Sequence, residues 1–234
     1  MCIVKRKIIL NMLACFSFLG LWILTIALSV FLGFYYAPIV KQNLDSHMIT
    51  KTIQLKGFST LNVSRTDAIT VRKGSSFSMI LKDYQDPTKE IFYDQGKDSL
   101  TMSLPVGTNC KFCKRNLMIE IIVPDLKEVN INNGIRLYAQ NFSNIDSLDA
   151  NVSNNSFLSL NGNTNLLNLH VTNNSSIDSS SILVQNVSLT IDSGSYAVLN
   201  VQQKLDITTD APDISNVAII GNPKVNKHIN PHTE

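Results

Sequence analysis

The sequence predicts an all-β protein, a parallel β-solenoid set behind one N-terminal transmembrane α-helix. Three observations carry this. One long uncharged run opens the chain. Short apolar segments alternate with polar residues at period two through most of the remaining sequence. A weak phrase, an apolar residue then small polar ones ending at Asn or Gly, recurs about every twenty residues.

From Ile8 to Val40 no side chain is charged. Crossing about 30 Å of hydrocarbon takes about 20 residues of helix, and this run is longer. Lys5, Arg6 and Lys7 precede it, which predicts a cytoplasmic N-terminus and an exported remainder. Tyr35 and Tyr36 fall where an outer aromatic belt would lie. A cleaved signal has an apolar region of only about 7–15 residues before its small-residue site. Here Pro38 follows Ala37 and makes a poor scissile position. A lipid-anchor signal ending at Cys15 would need the long apolar run before it, whereas that run comes after. The expected organisation is a cytoplasmic tail (1–7), a membrane anchor (8–40), a polar stalk (41–51), a solenoid (52–228) and a short tail (229–234).

Charge narrows the partners. Setting aside the three basic residues ahead of the apolar run leaves 17 basic and 18 acidic residues. A near-neutral body has no electrostatic grip on a phosphate backbone, so nucleic acid is not an expected partner.

Strand patterns come after the stalk. Phe77, Met79 and Leu81 alternate with polar neighbours, as do Leu100, Met102 and Leu104, and then Leu117, Ile119, Ile121 and Val123. One apolar face at period two describes a half-buried strand. The connecting pieces RKGSS and DQGKDS hold the Gly, Asp and Ser of turns.

After Pro124 the repeat sets in. Its phrases align on Ile131, Val152, Val171, Ile191 and, less sharply, Thr209, with spacings of 21, 19, 20 and 18. Two positions earlier stand Val129, Ala150, Leu169, Leu189 and Ile207. Three later come the turn formers Gly134, Asn155, Asn174, Gly194 and Pro212, and six later Leu137, Leu158, Ile177 and Ala197. A rung of this length cannot bury its own apolar side chains. Coiling the chain so that like positions stack about 4.8 Å apart does bury them, and it pairs each rung's backbone with its neighbours. Leucine-rich repeats share the period but need a Leu-x-x-Leu-x-Leu consensus that is missing here. Asn suits the corners because it tolerates left-handed backbone and its amide can bond a stacked neighbour.

Four segments extend the argument. FSTLNVSRTDAITVRKGSSFSMILKD (58–83), SLTMSL (99–104), IEIIVPDLKEVNINNG (119–134) and ISNVAIIGNPKVNK (214–227) resemble, in that order, the bacterial head GIN domain, a family labelled by analogy as an autotransporter adhesin. The resemblance covers most of residues 52–228. It implies a right-handed parallel β-helix exported by a bacterium. Taken with the uncharged run and the basic residues before it, the expectation is an envelope protein, single-pass in the inner membrane, with its C-terminal domain periplasmic or extracellular. This chain departs from the family's pattern in using Asn and Ser where many relatives have Gly-rich corners. It departs again in its basic loop from Pro105 to Asn116.

That loop holds CKFC, Cys110 to Cys113. A thioredoxin-like role needs the motif at a helix N-terminus, and here it lies between two strand patterns. A zinc site would have to join it to His228 and His232, more than a hundred residues away. The expectation is a structural disulfide between Cys110 and Cys113, with free thiols as the alternative. The acids from Asp146 to Asp213 show no facing pair of the kind glycoside hydrolysis uses. The calcium-binding GGxGxD repeat is absent as well. No catalytic residue, metal or cofactor is assigned. The remaining expectation is a binding module for glycan or an envelope protein, anchored through its helix. It contacts its ligand through outward residues such as Asn168, His170 and Thr172. A structural or regulatory membrane module is the alternative reading, and a glycan-active enzyme ranks below both.

Overall fold

The computed structural model describes residues 48–64, 68–84, 86, 88, 91–103 and 117–230. The segment 8–40 read as an anchor, Cys110, Cys113 and His232 lie outside them. Among the described residues no helix is long and apolar enough to cross a membrane. From Ile49 onward the chain forms one compact unit.

Its strands, in order, are β1 (Ile49–Gln54), β2 (Thr60–Ser64), β3 (Ala68–Lys73), β4 (Ser78–Asp83), β5 (Phe92–Gln95), β6 (Ser99–Ser103) and β7 (Met118–Val123). Then come β8 (Glu128–Asn132), β9 (Arg136–Val152), β10 (Phe157–Val171), β11 (Ser176–Ile191), β12 (Tyr196–Thr209), β13 (Val217–Ile220) and β14 (Lys224–Ile229). All belong to one continuous sheet that coils upon itself as a β-solenoid. β1 begins inside the segment 41–51 read as stalk, so residues 49–51 are sheet.

Two faces are built by parallel stacking. On the first, β7, β3, the leading parts of β9 to β12, and β13 lie side by side. On the second, β6, β2, β8, the trailing parts of β9 to β12, and β14 do the same. The phrase read from the sequence is the second face and its corner. Its central column runs Met102, Val63, Ile131, Val152, Val171, Ile191, Thr209 in register, and every member is buried. Leu100, Leu61, Val129, Ala150, Leu169, Leu189 and Ile207 form a second buried column beside it. On the first face Ile119, Ile69, Leu137, Leu158, Ile177, Ala197 and Val217 stack likewise.

The corners use left-handed backbone. Asn133, Gly134, Asn154, Asn155, Asn173 and Asn174 all have positive φ. Just inside them a buried serine repeats. Ser156 Oγ accepts from Ile135 N–H (3.3 Å), Ser175 Oγ from Ser156 N–H (3.2 Å) and Ser195 Oγ from Ser175 N–H (3.2 Å). Each hydroxyl thereby satisfies a corner amide that the strand ladder cannot reach, and leaving such a group unpaired costs about 1–3 kcal/mol.

A third side joins the two faces. β9 to β12 do not stop after the first face but bend through it, with Phe142 and Ile145, then Thr164, then Ile182 and Val184, then Val201 turned inward. Asn141 and Asn144 make the bends of β9 at positive φ. Gly162 does so in β10, where an added Cβ would lie 2.1 Å from the Phe142 carbonyl oxygen. The pairing register shifts at these bends.

The two ends are closed differently. Antiparallel strands cover the early end, β4 and then β1 outside β7, and β5 outside β6. At the late end β14 places Lys227 opposite Ile207, in line with a core column. Its ammonium donates to the Pro212 carbonyl (2.8 Å). An inward-directed charge on an edge strand makes adding a further strand costly. Lys227→Ile should therefore let the chain self-associate through this edge, read as a concentration-dependent rise in sedimentation coefficient in matched detergent; unchanged sedimentation would contradict the capping role. Within one strand, Leu169→Ala should cost about 2–5 kcal/mol in denaturant titration, while exposed His170→Ala should stay within about 0.5 kcal/mol.

Candidate binding surfaces

The second face turns a polar lattice to solvent. Alternation forces this, because each residue between two core positions points outward. One outward column reads Thr101, Asn62, Asn130, Asn151, His170, Thr190, Thr208, His228, and its neighbour Ser99, Thr60, Glu128, Asp149, Asn168, Ser188, Asp206, Asn226. Asn168, His170 and Thr172 all fall on this surface, with Leu169 and Val171 buried between them.

Many of these amides already have partners. Asn130 Nδ2 donates to Asn62 Oδ1 (2.8 Å) and Asn151 Nδ2 to Asn130 Oδ1 (2.6 Å). Asn168 Nδ2 donates to Asp149 Oδ1 (2.6 Å). The ladder ties adjacent rungs and fixes the lattice geometry. His170 is exposed, flanked by Asn151 and Thr190 in the neighbouring rungs, and has no side-chain hydrogen bond among the described residues.

Two acids meet here that the sequence did not bring together. Glu128 lies directly opposite Asp149 in the ladder. Glu128 accepts from Thr60 Oγ1 and from Asn130 Nδ2 (both 3.1 Å), and Asp149 accepts from Asn168, so donors offset the like charges. The pair sits side by side on a flat sheet rather than facing across a cleft, which is not the arrangement that glycoside hydrolysis uses. Asp149 and Asp192 do stand in different columns. Among the described residues no three His, Cys, Asp or Glu side chains gather as metal ligands.

The first face differs. Its outward residues include Met118, Tyr138 and Tyr196, and the Tyr138 and Phe157 rings meet edge-on with centroids 6.0 Å apart. A groove of about 370 Å³ lies over β3 between β7 and β9, among Ala68, Thr70, Lys82, Met118, Glu120 and Tyr138. A smaller polar recess of about 200 Å³ lies on the third side, at Asn144, Asp146, Asn163 and Gln185.

The fold and these surfaces define a β-solenoid that displays fixed polar and mixed faces. Residues 57–223 match the family described as "Putative auto-transporter adhesin, head GIN domain", and the chain belongs to it. Among solved structures, a "putative adhesin" from Bacteroides fragilis is similar at 12% identity and TM-score 0.57, over 77% of this chain and 97% of that one. A "putative adhesin" from Parabacteroides merdae has 14% identity and TM-score 0.41, over 79% and 93%. A "putative lipid binding protein" from Parabacteroides distasonis has 10% identity and TM-score 0.41, over 79% and 94%. No curated protein is significantly similar to this chain.

The lattice also carries a pH signature. The Lys204 ammonium, bonded to Asp206 at 2.6 Å, and then the Asn226 amide at 2.7 Å hold the Asp206 carboxyl below its ordinary value of 3.8. A depressed carboxyl stabilises the fold at pH above its unfolded value, and that contribution is lost as pH falls through the folded value. Since Asn226 belongs to β14, protection of β14 amides from hydrogen exchange should decline on acidification below about pH 4. Asp206→Asn should flatten that decline, measured by exchange corrected for intrinsic rates.

Proposed function

We propose that this is a single-pass envelope protein, held in the bacterial inner membrane by residues 8–40, whose exported solenoid is a binding module. Its contact surface is the outer side of the second face, and its ligand is a glycan or an envelope protein. The observation that carries this is the in-register outward lattice, where Asn151, His170 and Thr190 occupy one position on three successive rungs. Rungs repeat about every 4.8 Å, so hydrogen-bonding groups recur at a fixed pitch on a rigid plane. A surface ordered before contact loses little entropy when a ligand docks. The family's label and the adhesin name of its structural relative from Bacteroides fragilis support the same reading.

Replacing Asn168, His170 and Thr172 together by Ala should abolish retention on isolated cell envelopes. Because these side chains point away from the core, the melting temperature should fall by only about 2–4 °C, the cost of losing the Asn168–Asp149 hydrogen bond. Undiminished retention by the folded variant would contradict this assignment.

A further inference from the structure

We propose that the groove over β3 on the first face is a site for a single acidic sugar residue, a pyranose ring bearing a carboxylate. The site is separate from the lattice and lies on a different face.

The groove arises from side-chain size. β3 turns only Ala68 and Thr70 outward at this point, while the strands flanking it turn out Met118 and Glu120 on one side and Arg136, Tyr138 and Gln140 on the other. A row of small residues between rows of long ones leaves a trough along the strand. Met118 is 57% exposed and Tyr138 37%, so both present apolar surface to whatever fills the space.

The lining selects the chemistry. Ile80, Met118 and the Tyr138 ring supply an apolar wall that suits the C–H face of a pyranose. Thr70 and Gln140 supply hydroxyl and amide groups that have no side-chain partner among the described residues. Glu120 is held by Arg72 at 2.6 Å, so its charge is already matched, while Lys82 has no ion-pair partner among the described residues. The groove's lining therefore offers one unmatched cation, with exposed Arg136 next to Ala68 adding a second positive charge nearby, beside an apolar ring wall and a set of uncharged donors and acceptors.

Other occupants fit less well. β3 is paired with β7 and β9 along its length, so a peptide finds no free strand edge to extend. An acyl chain would strand Thr70 and Gln140 against hydrocarbon without hydrogen bonds and would cover the Arg72–Glu120 ion pair, which costs free energy for each group. A ring with equatorial hydroxyls and a carboxylate satisfies both the wall and the polar set.

The test is titration calorimetry of the full-length chain in detergent with tri-galacturonate and, as the neutral probe, maltotriose. The wild type should bind the uronate and bind maltotriose more weakly. Lys82→Met should lower uronate affinity about tenfold, the loss expected for one charge-assisted hydrogen bond, and leave maltotriose unchanged. Tyr138→Ala should weaken both, and Ala68→Leu, which fills the trough from an exposed position, should block both. Circular dichroism checks that each variant is folded, and Tyr138→Ala keeps the test open should Ala68→Leu misfold. Joint replacement of Asn168, His170 and Thr172 by Ala should leave uronate binding intact. Absence of uronate binding by the wild type, equal affinity for the two probes, or insensitivity to the groove variants would each overturn the proposal. Loss of uronate binding in the joint variant alone would move the site to the second face and leave the lattice reading standing.

Discussion

Register between rungs is the constraint on which everything else depends. No single turn of this chain has enough apolar surface to form a core. Val171 is buried because Val152 lies on one side of it and Ile191 on the other, each in turn covered by the next rung. A one-residue slip in any rung would turn its apolar set to solvent and its Asn and Thr inward. Parallel in-register pairing therefore secures the core and, by the same step, sets the outward lattice. Fold and candidate function are two sides of one alternation.

The corners show how side chains hold that register. Positive φ at Asn154, Asn155, Asn173 and Asn174 would strain most residues, and Asn accepts it. The buried serines at 156, 175 and 195 then link corner to corner. Asn amides on the second face add a further tie between rungs, from Asn62 through Asn130 to Asn151. A chain poor in Gly can turn this tightly because its corner residues supply their own hydrogen bonds. The same bonding consumes some of the groups that would otherwise be free for a ligand, which leaves His170 and the threonines as the more available members of the lattice.

The second face and its corner were legible because each lies within one local phrase. Leu169 to Asn174 contains the alternation, the burial and the turn. The third side was not legible, since Phe142, Ile145, Ile182 and Val184 follow bends and register shifts rather than a fixed period. Its sequence signals are slight: Gly162 inside an otherwise strand-like stretch, and Asn141 and Asn144 among many other asparagines. The Glu128–Asp149 pair needs the stacking of two rungs to become visible. The groove is further out of reach, because Ala68, Met118 and Tyr138 come from three strands that only the coil brings together. Lys227 is one more tail charge in the sequence, and only its partner Ile207 places it in line with the core.

The division of labour between faces comes from side-chain size. Where neighbouring rungs carry outward residues of similar length, as on the second face, the surface is flat and suits a broad contact. Where β3 breaks the pattern with Ala68 and Thr70, a recess opens.

Stacking in register, the root of all of this, can be read directly from methyl nuclear Overhauser contacts. Methyl groups of Val171 should show strong contacts both to Val152 and to Ile191, and Val152 to Ile131, with none of these pairs joined by a shorter path along the chain. Contacts from Val171 to residues one position out of line, or to neither rung, would show that the coil does not stack as described.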